Sequence, residues 1–361
     1  MSGPIDFIVS KEDLRTYKSV PGQMPGIELN SGQVQLRIQK FAFTANNVTY
    51  AVYGEAIGYW KFFPTEVAGW GKVPVWGFAE VIDSANGAIH PGQRFYGFLP
   101  MSSYVTMDAK ENSSGFRDVA PHRLALPSAY NHYALTTSDP IYDANYENEQ
   151  MILRPLFVTS FLANDFLEEN SHFGARTIIV SSASSKTAYA LAFLASRSRP
   201  KVDVVGLTSP RNLTFTEGLG CYDRVVTYDE VASVSSVLPV VYVDIAGSVP
   251  VRAALAQHFG DDLSYSMALG DTHWQEDKAH AALTGSQECF FAPTWLKKRV
   301  GDWGMEGYLQ RLAGAWRTFS PSLGGWMKVI EETGHAAVER VYLEHLEGKA
   351  DPATGNVLSL S

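Results

Sequence analysis

The amino-acid sequence predicts an α/β protein in two parts, a β-rich unit and a doubly wound parallel sheet with helices on its faces. Three observations predict it. Up to about residue 120, short apolar runs are separated by turns containing Gly and Pro, with few helical patterns. After Pro155 the spacing of Leu156, Phe157, Phe161, Leu162, Phe166 and Leu167 becomes helical. From Thr177 onward short apolar runs alternate with helix patterns, as βαβ units around a parallel sheet require. The chain has 361 residues, 45% of them hydrophobic, enough to fill two cores.

Residues 33–52 partly alternate apolar and polar side chains and are expected as strand (Val34, Leu36, Ile38, then Phe41 and Phe43). Val73-Pro-Val-Trp-Gly-Phe-Ala-Glu-Val-Ile82 is a further strand bounded by glycines and prolines, and the Pro91-Gly92 turn precedes another. Residues 130–147 are polar, aromatic and weakly periodic, as expected of a connection over a cleft. In the second part, Thr177-Ile-Ile-Val180 leads through a Ser-rich turn into the helix pattern of Ala188 to Ala195. Val202 to Leu207, Arg224 to Thr227, Val240 to Asp244 and Asp262 to Leu269 supply the other parallel strands. Beyond Pro293 the pattern is helical and aromatic (Trp295, Trp303, Tyr308, Leu309, Leu312, Trp316), and residues 356–360 read as a last strand.

The charge balance is acidic, 29 Lys and Arg against 38 Asp and Glu, and no basic run exceeds Lys297-Lys298-Arg299. A nucleic-acid footprint or basic membrane face is therefore not expected, and no window has the ~20 uninterrupted apolar residues of a membrane helix. The two cysteines, Cys221 and Cys289, are too few for a disulfide framework and suit a reducing compartment. With no signal-peptide pattern at the start, a cytoplasmic protein acting on a small molecule is expected.

The turn Val180-Ser-Ser-Ala-Ser-Ser-Lys-Thr187 is the most informative segment, because a strand–turn–helix in a parallel sheet delivers backbone amides and a helix N-terminus to a phosphate. It contains no glycine. Serines are small and donate hydrogen bonds, so Ser181, Ser182, Ser184, Ser185, Lys186 and Thr187 are candidates for a phosphate cradle. The next strand lacks the acidic residue that would bind a ribose 2′-hydroxyl and offers Thr208, Ser209 and Arg211, a set suited to a 2′-phosphate and hence to NADP rather than NAD. Tyr228, after the third strand, joins this set. The same turn brushes the phosphate loop of NTPases, with Val240 to Asp244 as the apolar strand bearing a magnesium ligand, but both loop glycines are missing. His273 and His280, with Glu276 and Asp277 between them, fit no metal-ligand spacing.

The order and spacing of several segments resemble the zinc-independent branch of the medium-chain dehydrogenase/reductase superfamily, the quinone oxidoreductase and enoyl reductase type. Residues 34–54 resemble its strand and "N-P-S-D" loop, and Val73 to Val81 and His90 to Phe98 its "P-x-x-G-x-E-x-x-G-x-V" and "G-D-R-V-x-G" segments. Leu219-Gly-Cys-Tyr-Asp-Arg-Val-Val-Thr-Tyr228 resembles its "L-G-A-D-x-V-I-x-Y", Asp244-Ile-Ala-Gly247 its "D-x-x-G", and Leu346 to Leu358 its C-terminal "L-x-x-G-K-x-x-G-K-V-V-L".

The resemblance implies a GroES-like β-rich catalytic domain from both chain ends, residues 1–150 and 296–361, around a Rossmann domain, residues 151–295. It also implies a homodimer and NADPH-dependent reduction of an activated C=C bond or a quinone. Zinc-dependent relatives carry a Cys and a Gly-His-Glu where this chain has Asn47-Val-Thr and Gly77-Phe-Ala-Glu80, so no metal is expected. Tyr50 and Tyr53 follow the matching loop and are the expected proton donors, with Asn47 orienting a carbonyl and Tyr59, Trp60 and Lys61 lining the pocket. The Ser-rich turn, Thr44-Ala-Asn-Asn in place of Asn-Pro-Ser-Asp, and a longer 130–150 segment depart from the family. These departures keep open a non-catalytic reductase-like protein that binds NADPH as a sensor or assembly partner.

Overall fold

A computed structural model describes residues 3–235, 237–269 and 288–360. The chain divides into two compact units, residues 1–152 with 327–361 and residues 153–326.

The first unit holds β1 (Ile5–Ser10), β2 (Tyr17–Pro21), β3 (Gln33–Phe43), α1 (Ala45–Val52), β4 (Trp70–Gly71) and β5 (Pro74–Ser84). It continues with β6 (Arg94–Pro100), β7 (Tyr104–Asn112), β8 (Gly115–Asp118), β9 (His132–Leu135) and the start of α2 (Glu147–Glu169). β1 pairs antiparallel with β2 and β4. The later part of the chain returns β16 (Lys328–Thr333), α7 (His335–Leu346) and β17 (Thr354–Ser359) to this unit. The larger sheet runs β16-β17-β3-β5-β6-β9-β8-β7, and β3 also pairs with β7, which closes it into a barrel. Val34, Leu36 and Ile38 point into its core, as their alternation predicts.

Residues 45–52, expected as strand, are helical instead. Thr44 leaves β3 in an extended conformation and caps α1, and the Asn47 side chain closes a capping box against the Thr44 backbone. At the start of α2, Glu147 takes ion pairs from Arg94 and from Lys40 at 2.7 Å. Burial pushes its carboxyl up, but hydrogen bonds from Arg94 and Lys40 outweigh that and bring its pKa to about 2.

The second unit takes the rest of α2 and then β10 (Thr177–Val180), α3 (Lys186–Ala195), β11 (Asp203–Thr208), α4 (Leu213–Gly218), β12 (Arg224–Thr227) and β13 (Val240–Asp244). It ends with α5 (Val249–Phe259), β14 (Leu263–Ala268), β15 (Glu288–Cys289) and α6 (Ala292–Phe319). The parallel sheet runs β12-β11-β10-β13-β14-β15, so strand order reverses between β10 and β13. That reversal is the topological switch point at which α/β sheets bind ligands. Ile178, Ile179, Val204, Val205, Val241 and Tyr242 are buried, the pattern of strands covered on both faces.

The second domain boundary falls later than residue 296. Tyr308, Leu312, Trp316 and Phe319 of α6 are buried, and Trp316 and Phe319 pack on Phe157, so α6 belongs to the parallel-sheet unit. Its apolar face matches α2, and pattern alone could not show which unit that face covers. His273 and His280 lie outside the described residues. Among the described residues no group of His, Cys, Asp or Glu is placed to hold a metal ion, and no helix is long and apolar enough to cross a membrane.

Candidate functional site

The polar edge of the second unit lies at the carboxyl ends of β10, β11, β12 and β13. Ser181 follows β10 and is fully buried. Its Oγ accepts the amides of Ile245 (2.9 Å) and Ala246 (3.0 Å) and donates to Asp244 Oδ1 at 3.1 Å. The same Oδ1 takes the Tyr242 hydroxyl at 3.0 Å and the Gly247 amide at 2.9 Å, while Arg252 lies 3.6 Å from Oδ2. Ser181 is thus a brace across the switch point and not a phosphate ligand.

The Ser-rich turn is held by its own amides. Ser181 N–H donates to Val243 O, Ala183 N–H to Leu207 O and Ser185 N–H to Ser182 O. Ser182 N–H donates to the Tyr228 hydroxyl at 2.9 Å, which brings together two residues that sequence analysis paired with one ligand. Ser184 Oγ accepts from Asn212 Nδ2 at 3.0 Å, and Ser185 caps α3 by accepting the Ala188 amide at 3.2 Å. Ser182 stands at φ 50, a conformation that favours glycine. A phosphate loop needs consecutive turn amides aimed at phosphate. Here the amides of Ser181, Ser182, Ala183 and Ser185 are spent inside the protein and Asp244 Oδ1 takes three donors, which counts against the NTPase reading.

What remains for an anion is the first turn of α3, with Lys186 and Thr187, because a helix N-terminus carries positive potential and outward amides. Thr208 ends β11 and pairs in register with Thr227. Its hydroxyl is buried at 1% exposure and makes no hydrogen bond with any described residue. An orphaned hydroxyl costs about 1–3 kcal/mol unless something else meets it. Ser209 follows and caps a short turn that carries the exposed Arg211. A hydroxyl without a partner among the described residues, beside a serine and an arginine, fits the phosphorylated ribose of NADP.

In the first unit an aromatic cluster forms around Tyr50. The Tyr50 ring lies 4.6 Å from Tyr59, 5.4 Å from Phe98 and 6.3 Å from Tyr130, and Trp76 lies 5.1 Å from Phe98 and 6.1 Å from Tyr130. The Tyr50 hydroxyl accepts from Asn46 Nδ2 at 2.7 Å and from Trp76 Nε1 at 3.1 Å. The hydroxyls of Tyr59 and Tyr130 are 3.0 Å apart. Burial, and then the neighbouring Tyr59, push the Tyr50 phenol well above its ordinary range. Tyr50 therefore holds its proton at neutral pH, and burial opposes the phenolate that the two N–H donors favour.

Other candidates fall elsewhere. Asn47 does not face a substrate: it is buried, its Oδ1 accepts the Thr44 amide at 2.8 Å and its Nδ2 donates to Pro74 O at 2.9 Å. Tyr53 is the half-buried cap that ends α1. Trp60 is core, since Gly54 and Gly71 pack so close to its indole that a Cβ on either would collide with it, and Lys61 is exposed. Sequence reasoning missed Asn46, Trp76 and Asn212. Trp76 and Phe98 meet through the register of β5 on β6, and the only trace of that in sequence is two aromatic strands.

A closed β unit together with a parallel sheet in this strand order is a two-domain architecture that solved oxidoreductase structures also have. Solved structures share it along the whole chain. CurA from Vibrio vulnificus in complex with NADPH has a TM-score of 0.66 at 11% identity over 99% of each chain. A mutant enoyl thioester reductase from Candida tropicalis has 0.60 at 10% over 100% of each, and an Etr1p mutant in complex with NADP and crotonyl-CoA has 0.59 at 10% over 99% of each. Residues 41–351 match the family described as "Protein of unknown function (DUF2855)", and the chain belongs to that family. No curated protein matches the sequence.

Proposed function

We propose that this protein is an NADPH-dependent reductase of a small molecule, acting without zinc on an activated C=C bond (an enone or enoyl thioester) or on a quinone, as a cytoplasmic homodimer. The observation that carries the reading is the buried, unpartnered Thr208 hydroxyl beside Ser209 and Arg211 at the carboxyl edge of the parallel sheet. The NADPH and crotonyl-CoA of the similar structures support it.

Lys186, Thr187 and the first turn of α3 would hold the pyrophosphate, and Thr208, Ser209, Arg211 and Tyr228 the phosphorylated ribose. Bound there, NADPH supplies a hydride for the β-carbon. Such a reduction also needs a proton for the α-carbon, and the Tyr50 phenol of the first unit is the group proposed to supply it. Its hydroxyl accepts from Asn46 and Trp76, which favours the phenolate left after transfer.

A calorimetric titration of NADPH, NADH and Mg-ATP tests the cofactor. The expected result is NADPH at least tenfold tighter than NADH, a gap of ~1.4 kcal/mol. The Tyr50→Phe variant, which keeps the ring packing, is expected to lose about 10²–10⁴-fold in kcat with NADPH binding unchanged. A non-catalytic sensor remains the second reading, favoured by the four turn amides spent internally. NADPH binding without turnover of enones, enoyl thioesters and quinones would select it.

A further inference from the structure

Asn212 and Ser184 are distant in sequence and meet at the nucleotide edge of the second unit. Asn212 Nδ2 donates to Ser184 Oγ at 3.0 Å, and both residues are half-buried. An amide nitrogen can only donate, so Ser184 accepts and its own hydroxyl proton is left to give. Each partner is fixed in place. Ala183, before Ser184, has its N–H on Leu207 O at 2.9 Å and its carbonyl under the Tyr222 hydroxyl at 2.8 Å, and Ser185, after it, caps α3. Asn212 closes the turn that carries Arg211, since its N–H donates to Ser209 O at 3.0 Å and its carbonyl takes the buried Thr216 hydroxyl at 2.8 Å. The side-chain bond therefore ties the Arg211 turn to the Ser-rich turn. Thr208, whose hydroxyl is unmet by any described residue, ends the strand that leads into the Arg211 turn.

We propose that Asn212 is a positioning residue that sets the preference for a phosphorylated ribose, and that Ser184 is the hydroxyl donor it prepares. This rests on the reductase reading and concerns how its cofactor site tells a 2′-phosphate from a 2′-hydroxyl. By accepting from Asn212, Ser184 becomes a stronger donor to the next acceptor. A hydrogen bond to phosphate is charge-assisted and stronger than a neutral one. Arg211 follows Pro210, whose ring fixes φ, and precedes the anchored Asn212, so the reach of its exposed side chain is limited from both sides. The 2′-phosphate is held between Ser184 and Arg211, and Asn212 does not touch it. Without the Asn212 side chain, Ser184 loses its polarising donor and the Arg211 turn loses its tie, while α3 keeps its cap.

The probes are adenosine 2′,5′-bisphosphate and adenosine 5′-monophosphate, which differ by that one phosphate, titrated by calorimetry into the full chain at constant salt. The wild type is expected to bind the bisphosphate at least about tenfold tighter, and Asn212→Ala to cut that ratio about tenfold, ~1.4 kcal/mol. The affinity for the 5′-monophosphate and the melting temperature are expected to stay near those of the wild type. Ser184→Ala, which leaves the backbone bonds of the turn in place, is expected to do the same. The double variant is expected to lose no more than Ser184→Ala alone, because the two side chains act as one unit. A wild type that binds both probes alike overturns the proposal, as does an unchanged ratio in both single variants. Equal weakening of both probes, the mark of a merely structural tie, also overturns it, and so does additive loss in the double variant. If NADPH is bound and oxidised but neither variant alters the ratio, the reductase reading stands and this inference fails. If the bisphosphate binds through Ser184 and Asn212 while no enone, enoyl thioester or quinone oxidises NADPH, the inference stands and the reductase reading fails.

Discussion

The turn after β10 and the aromatic cluster around Tyr50 are both polar sites in apolar surroundings, built in opposite ways. In the turn, consecutive residues spend their amides on Val243, Tyr228, Leu207 and Ser182, and Ser181 ties β10 to the segment after β13 through Asp244. In the cluster, residues 46 and 50 come from α1 and residues 59, 76, 98 and 130 from four other segments; the Tyr50 hydroxyl takes two N–H donors, and the Tyr59 and Tyr130 hydroxyls bond to each other. The turn is a brace whose polar groups are internally satisfied, and its ligand chemistry is left to the side chains at its edges. The cluster instead draws its bonds from side chains of several segments, with Asn46 and Trp76 half-buried. A brace shared by several buried donors acts more on stability than a cluster in which each hydroxyl has one or two partners.

The largest expected effect breaks the brace. Asp244→Ala strips Ser181, Tyr242, Gly247 and Arg252 of a shared buried acceptor. Removing one partner of a buried charged network costs about 3–5 kcal/mol, read as a lower midpoint in urea unfolding. The matching change in the cluster, Tyr59→Phe, removes a single hydroxyl and is expected to cost at most about 1 kcal/mol. Equal losses in the two variants would erase the contrast.

Thr208→Val sharpens it. Thr208 is the one residue of the nucleotide edge whose buried hydroxyl is unmet by any described residue, so an isosteric apolar replacement removes a desolvation cost. The protein without ligand is expected to gain about 1 kcal/mol in stability and to bind NADPH more weakly. A loss of stability would mean that the hydroxyl serves the fold.

The same contrast explains what was legible from sequence. Thr177–Val180 and Val240–Asp244 stand where their apolar runs placed them, because parallel strands buried on both faces announce themselves locally, and the half-buried edge strand Arg224–Thr227 does so through its Val-Val pair. Helix α1 was not legible, since its capping box acts through Asn47 in a stretch whose alternation suggests strand. Ser184 and Ser185 are where the turn was expected, but the pairing of Ser182 with Tyr228 joins the ends of different strands. Tyr50 was picked from its place after a loop. Its partners Asn46 and Trp76 required the register of β5 and the turn of α1, which no run of residues displays.

The smallest expected effect concerns Ser182, the point at which the turn departs from a glycine pattern. Its φ of 50 places a Cβ where a left-handed backbone crowds the following carbonyl, at a cost of roughly 1–2 kcal/mol. Glycine removes that cost but gives back roughly 0.5–1 kcal/mol through the greater freedom of the unfolded chain. Ser182→Gly is thus expected to stabilise the protein by about 0–1.5 kcal/mol, the difference of those two terms, measured by urea unfolding. The Ser182 amide would keep its bond to Tyr228, because the backbone need not move. A destabilised variant would show instead that the Ser182 side chain supports the turn, and that serine there is a structural choice made against backbone strain.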